Sequence, residues 1–466
     1  MTPPRPNSAA ARDIANVLHP YTDLRSHLDT GPLVITRGKG VRVWDENGKE
    51  YIESVAGLWC AALGFDNERL VEAATRQMRK LPFYHSFTAK SHEPMIELSE
   101  MLIERAPVPM SKVFLANSGS EANDSAIKMI WYFNNAVNRP KKKKIVGRVK
   151  GYHGITLASA SLTGIPTNHR AFDVPLPGFL HTLNPHFYHA GRPGESEDEF
   201  ASRCAEELEK LILAEGPDTV AAMFAEPVMG AGGVIVPPRG YFPKIQAVLS
   251  KYDVLFVADE VICGFGRTGN YWGSQTFDIK PDMLTCAKAL SSSFLPISAV
   301  MVNDRVFRGL AEESHKIGTF GHGFTYSGHP VSAAVAVETL KIYDETDMLG
   351  HVRQVGPHMQ RELRRRFANH ELVGEVRGVG LIAAIELIEN KETRANFDPA
   401  AKVGARLSKL CEKHGVIGRA MAGDVLAFSP PLIISEKEID EMVDRVGRAL
   451  DELAVELRRE KMAVVS

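Results

Sequence analysis

The sequence predicts an α/β fold: a mostly parallel sheet covered by helices on both faces, followed by a smaller α+β domain. Three observations carry this. Compact apolar runs of buried-strand length recur between residues 113 and 302. They are separated mostly by helix-like segments, and the texture changes after about residue 331. Strands covered on both faces read as continuous apolar runs, and parallel neighbours need helical crossovers, so this order points to a parallel sheet. A chain of 466 residues suggests two or three units at roughly 150 residues each.

Taken in order, residues 1–30 are polar and Pro-rich and read as an arm. Val41-Arg42-Val43-Trp44 is β-like, and Asp45-Glu46-Asn47-Gly48 contains the Asn-Gly signal of a tight hairpin, with Tyr51-Ile52 returning. The strands expected in the large sheet are Val113–Leu115, Lys144–Val149, Thr219–Phe224, Val254–Ala258, Met283–Cys286 and Ile297–Val302. Helices such as Glu199–Leu213 and Tyr241–Lys251 stand between them. Beyond 331 come an amphipathic helix (His329–Tyr343), charged helices, a β-like run (Ile382–Ile388) and a terminal helix near Glu436–Arg458. The expected division is an arm and hairpin over 1–65 that joins the small domain, a large domain over 66–330 and a small domain over 331–466.

Bulk properties narrow the function. Lys+Arg at 55 against Asp+Glu at 57 leaves a net charge of -2, so no nucleic-acid or membrane-surface partner is expected. The basic run Lys141 to Lys144 reads as a solvated loop entering a strand. Five cysteines without a CxxC pair argue against a disulfide scaffold and a cysteine-based zinc site, and no metal centre is expected. The first residues lack the apolar core of a signal peptide, and no apolar stretch reaches membrane-spanning length. The expected location is the cytosol.

Ligands of open α/β sheets bind beyond the carboxyl ends of the strands, and three features lie there. Asn117-Ser118-Gly119-Ser120-Glu121-Ala122-Asn123 follows the first strand. Ser118 and Glu121 have capping-box spacing, and Gly119 and Ser120 leave donors at a positive helix end that suits a phosphate, although any well-capped helix looks similar. Asp259 and Glu260 end an apolar strand, where a buried carboxylate needs a cationic partner or donors. Lys288 ends Met283-Leu-Thr-Cys-Ala-Lys, where burial lowers an amine's pKa towards the neutral form needed for Schiff-base chemistry. Gly264-Phe-Gly266-Arg-Thr-Gly269 matches GxGxxG but runs into Asn270-Tyr-Trp-Gly instead of a helix, so it is not read as a nicotinamide site.

The run from Asp259 to Leu290, with NSGSEAN, Gly151-Tyr152-His153-Gly154 and Ala225-Glu226-Pro-Val-Met-Gly-Ala231-Gly-Gly233 at matching separations, resembles the class III aminotransferases of the fold type I pyridoxal-phosphate enzymes. Within the class it is most similar to the ω-amino acid:pyruvate and amine transaminases. Ala-Lys-Ala-Leu-Ser-Ser departs from the Lys-Gly of many relatives but keeps the lysine. The resemblance implies a seven-stranded large sheet and pyridoxal 5'-phosphate as cofactor, with pyridoxamine 5'-phosphate as its other form. Lys288 would carry the cofactor as a Schiff base and act as the proton-transfer base, and Asp259 would pair with the pyridine nitrogen. Tyr152 and Val261 would enclose the ring, with Ser118, Gly119, Ser120, His153 and Glu226 around the cofactor. Thr325 would complete the phosphate site from a neighbouring subunit, giving a homodimer with shared active sites, with a tetramer left open. Trp59, Phe87, Tyr152, Ala231 and Phe324 would line the substrate pocket, and Arg419 would pair with a substrate carboxylate. The implied reaction moves an amino group from a primary amine or ω-amino acid to pyruvate. Use of 2-oxoglutarate, an aminomutase and a decarboxylase share the fold and Lys288, and stay open on sequence.

Overall fold

The computed structural model describes Arg5 and residues 7–465. Residues 1–4 and 6, in the expected arm, and Ser466 lie outside the described residues.

The central sheet has seven strands: β1 (Lys112–Ala116), β2 (Lys144–Arg148), β3 (Phe179–Thr182), β4 (Val220–Ala225), β5 (Leu255–Asp259), β6 (Met283–Cys286) and β7 (Ser298–Val302). Their order is β1-β7-β6-β5-β4-β2-β3. Pairings from β3 across to β6 are parallel, and only β7 runs antiparallel to its neighbours β6 and β1. Every residue of β4, β5, β6 and β7 is buried, as a sheet covered on both faces requires. Six of these strands follow the apolar runs read from the sequence. The seventh, β3, carries no such run: Phe-Leu-His-Thr is short and half polar, and it forms the sheet edge beside β2.

Two further four-stranded sheets flank the site. One joins Ile35–Lys39, Arg42–Asp45 and Glu50–Glu53 to Val416–Ile417, which pairs in parallel with Ile52 and Glu53. Its tight turn is closed by Asp45, whose Oδ1 accepts from the N–H groups of Asn47 and Lys49, while Gly48 takes φ +80°. The other runs Val373–Val379, Ile382–Leu387, Val425–Phe428, Arg419–Met421, all antiparallel.

Two expectations are corrected. The helix read as amphipathic, Pro330–Glu345, is buried on almost every side, because it is packed between helices Glu68–Lys80 and Glu93–Glu104 and the turn after β6. In the basic run only Lys141 is exposed. Lys142 is buried with Nζ donating to Tyr252 O at 2.9 Å, and Lys144 Nζ pairs with Glu215 at 2.7 Å. Among the described residues no helix is long and apolar enough to cross a membrane.

Candidate active site

A cavity of about 350 Å³ opens at the carboxyl ends of β1, β4, β5 and β6. At one end is helix α1 (Gly119–Ala136), capped by Ser118, whose Oγ accepts from Glu121 N–H at 3.2 Å. The reciprocal half of the expected capping box is displaced by one residue: Glu121 Oε2 accepts from the backbone N–H and the side-chain amide of Asn117, both at 2.8 Å. A Cβ on Gly119 would meet Val261 Cγ1 at 3.0 Å, so the glycine lets the helix start approach the loop after β5. Ser120 Oγ accepts from Ile155 N–H at 3.1 Å. Ser118, Gly119 and Ser120 all line the cavity.

Asp259 ends β5 and is buried. Its Oδ2 accepts from Asn123 Nδ2 and His153 Nδ1, both at 2.8 Å, and Oδ1 accepts from Val261 N–H at 3.1 Å. No lysine or arginine pairs with it among the described residues. His153 uses Nδ1 for Asp259, and its buried Nε2 has no hydrogen-bond partner among the described residues. Glu226, just after β4, accepts from Tyr152 N–H at 3.0 Å and Gly230 N–H at 2.9 Å, so it fixes both backbones while facing the cavity. Burial pushes its pKa up, against the pull of His153 and Arg148.

Lys288 follows β6 in a short turn (Lys288–Ser291) and holds φ +49°. A non-glycine residue pinned in the left-handed region costs on the order of 1–3 kcal/mol, and such strain clusters at functional sites. Its amine faces the cavity without a hydrogen bond among the described residues. Burial pushes its pKa down, and the Asp259 carboxylate acts the other way.

Above this floor, Arg419 Cζ lies 4.9 Å over the Trp59 ring and 6.0 Å over that of Tyr21. Trp59 is buried at φ +58° after Ala56 (+46°) and Gly57 (+68°), and Ala231 packs on the same apolar cluster. Burial also pushes the Arg419 guanidinium down, and it has no ion pair among the described residues. Tyr152 lines the cavity, where its phenol is pushed well up by burial and by a hydrogen bond with Tyr21.

Of the expected residues, Trp59, Ala231 and Arg419 do not themselves line this cavity, and Phe87, Phe324 and Thr325 stand apart from it. Phe87 and Thr325 are exposed and Phe324 is half-buried. They gather around the 320s segment, where a Cβ on Gly323 would meet the Phe87 ring at 3.2 Å. The Gly264–Gly269 run is a buried turn in which Arg267 donates to the carbonyls of Leu381 and Pro430. The sequence does not single out Tyr21, in the polar arm, or Asn123 with Thr285, whose hydroxyl donates to Asn123 Oδ1 at 2.8 Å. Asn123 lies one helical turn after Gly119 inside NSGSEAN, and that spacing was the available signal.

The cavity fits pyridoxal phosphate. A buried carboxylate that accepts from Asn123, His153 and a backbone N–H, with no lysine or arginine paired to it among the described residues, suits a pyridinium N–H. An unpartnered amine faces the same space, and the start of α1 offers N–H groups to a phosphate. The comparisons agree. The aminotransferase class-III family matches residues 25–450. Gamma aminobutyrate transaminase 3, chloroplastic, of Solanum lycopersicum is 50% identical over 450 residues, covering 95% of this chain and 86% of that protein. The crystal structure of the ω-transaminase from Pseudomonas jessenii in complex with PMP is 56% identical with TM-score 0.94, covering 96% of this chain and 98% of that one. A solved transaminase with L-alanine is 57% identical with TM-score 0.90, covering 91% of this chain and 100% of that one.

Fold and site together define a pyridoxal-phosphate enzyme of fold type I. More narrowly, this chain belongs to the class III aminotransferases.

Proposed function

We propose that the enzyme moves an amino group from a primary amine or ω-amino acid to pyruvate, releasing an aldehyde or ketone and L-alanine in a ping-pong cycle. The observation that carries this reading is Arg419. It is a half-buried guanidinium with no ion pair among the described residues, set over Trp59 and beside Tyr21 and Tyr152. One such group suits one carboxylate, as in pyruvate, and the surrounding aromatic rings suit the uncharged part of an amine donor.

When bound, pyridoxal phosphate supplies the electron sink for substrate carbon. Asp259, held by Asn123 and His153 at the cavity floor, would set its carboxylate against the ring nitrogen. Lys288, whose pKa is lowered by burial, is suited to take the proton from the substrate carbon and return it. Tyr152, whose backbone N–H is anchored by Glu226, forms part of the cavity wall.

The names of the relatives bear on the donor. γ-Aminobutyrate, the substrate named for the Solanum enzyme, is itself an ω-amino acid and falls within the proposed class. The likeness to ω-transaminases and to a transaminase with L-alanine supports the alanine–pyruvate pair. The position of Phe87, Phe324 and Thr325 away from their own cavity supports a homodimer in which these residues face the neighbouring site. A panel of arylalkyl amines, β-alanine, γ-aminobutyrate and putrescine should be run against pyruvate and 2-oxoglutarate, reading alanine and glutamate. Alanine formation with several donors is expected. Glutamate formation that outruns alanine with every donor overturns the proposed acceptor.

A further inference from the structure

Away from the active site, two groups of side chains among the described residues each bring three ligand-type atoms within 4.8 Å of one another. In the first, around His186, His189 and Glu386, the Arg377 guanidinium already donates to Glu375 and Glu386 at 2.6 Å each. A metal ion there would meet carboxylates that are neutralised and a fixed positive charge. The second group, in the N-terminal arm, has no such competitor. Asp13, in helix Ala9–Asn16, faces His19 and His27. His19 Nε2 lies 2.8 Å from Oδ1 and 3.0 Å from Oδ2, and His27 Nε2 lies 3.1 Å from Oδ1. The imidazole rings are 4.6 Å apart between centroids. No lysine or arginine pairs with Asp13 among the described residues.

We propose that Asp13, His19 and His27 form a binding site for a divalent transition metal of the zinc class, which clasps the two arm helices and holds Tyr21 over the active site. Two imidazoles and a carboxylate are the borderline donors such ions prefer, with water in the fourth position. Ligand atoms about 2.0 Å from a tetrahedral zinc lie roughly 3.3 Å apart, close to the N···O separations present. No hydrogen bond engages Nδ1 of either ring among the described residues, so each can hold its proton there and turn the Nε2 lone pair to the metal.

The chain builds this arrangement locally. Helix Leu24–Thr30 starts at the Asp23 cap, whose carboxylate accepts from Ser26 N–H at 3.1 Å, and His27 is its one buried residue. The loop between the two histidines carries Tyr21. Its hydroxyl is bonded by the Asn168 amide, and the ring lies beside Arg419 and Tyr152. A metal that fixes the ends of that loop therefore fixes part of the roof of the active site. The expectation of no metal rested on cysteine spacing, and this triad contains no cysteine.

The test is equilibrium dialysis of the chelator-stripped holoenzyme against zinc at neutral pH, for wild type, His19→Gln, His27→Gln and His189→Gln. Glutamine keeps an N–H donor for Asp13 and is a poor metal ligand, so the arm should stay folded. The expected result is one zinc per chain at micromolar free metal, weakened on the order of 100-fold by either arm substitution and unchanged by His189→Gln. Zinc should also slow proteolysis between residues 17 and 23 in wild type and in His189→Gln only. Absence of stoichiometric zinc, unchanged binding in both arm variants, or loss confined to His189→Gln each overturns the proposal.

Discussion

His153 Nδ1 donates to Asp259 Oδ2 at 2.8 Å, and Asn123 Nδ2 reaches the same oxygen at the same distance. The Asn123 amide is locked in turn by Thr285 on β6 and by the His153 carbonyl. The carboxylate therefore cannot turn away from the cavity without breaking bonds on α1 and on two strand ends. Asn123→Ala frees one side of it while leaving Lys288 untouched. The expected outcome is turnover lower by about 10- to 100-fold with the coloured cofactor still bound, read by kcat and the visible spectrum of one preparation. Unchanged kcat would show that Asp259 needs no such support.

In the proposed cycle Lys288 would supply both the anchoring amine and the proton-transfer base, so its removal should cost more than any neighbour's. Lys288→Ala should lose the visible absorbance of the bound cofactor, and turnover should fall on the order of 10⁴-fold. An added small primary amine should restore part of the rate, since the floor made by Asp259, His153 and Asn123 is intact. Rates above a tenth of wild type would remove Lys288 from the chemistry.

These groups were legible in the sequence to different degrees, for physical reasons. β4 to β7 are buried on both faces, so they wrote themselves as apolar runs, and Asp259 and Lys288 stood out as charges at their ends. β3 has one covered edge and a half-polar sequence, which leaves no such mark. Helix Pro330–Glu345 carries enough polar residues to look one-sided, yet its Ser332 and Thr339 are buried too, with the Thr339 hydroxyl donating to Val335 O at 2.8 Å. Tyr21 lies in a polar arm, and only the three-dimensional path of that arm brings it to Tyr152. The resemblance places Phe87 and Phe324 in the substrate pocket and Thr325 at a neighbouring subunit's phosphate site, and within one chain all three lie apart from the cavity.

Glu53 offers a test by pH. It is buried at the end of the strand Glu50–Glu53, and accepts from the N–H groups of Val55, at 2.9 Å, and Gly57. Burial pushes its carboxyl from 4.5 up to about 7. Between those values the folded chain keeps a proton that the unfolded chain has lost. Its contribution to stability is thus complete at low pH and is lost as pH rises through about 7, for a total of about 3 kcal/mol. Glu53→Gln keeps an acceptor for both N–H groups and has no charge to desolvate. The melting temperature of wild type should drop more than that of the variant between about pH 5 and about pH 8. Parallel curves would show that Glu53 is not titrating in this range.

Arg419 tests the proposed acceptor most directly. The strand Arg419–Met421 pairs with Val425–Phe428, which pins its backbone, while the guanidinium lies over the Trp59 indole without an ion pair. A planar cation stacked on an aromatic face and largely out of water is poised for a bidentate carboxylate, and lysine would not replace it. Hydrogen bonds to a charged group contribute about 1.5–3 kcal/mol each. Arg419→Leu should therefore raise KM for pyruvate roughly 10- to 100-fold. The half-reaction with an amine that carries no carboxylate makes no use of that pair, and its rate should stay within about twofold of wild type. This split separates substrate pairing from a general role in holding Trp59. If the half-reaction with such an amine falls as far as the pyruvate half-reaction, Arg419 acts as a wall of the pocket and not as the carboxylate receptor.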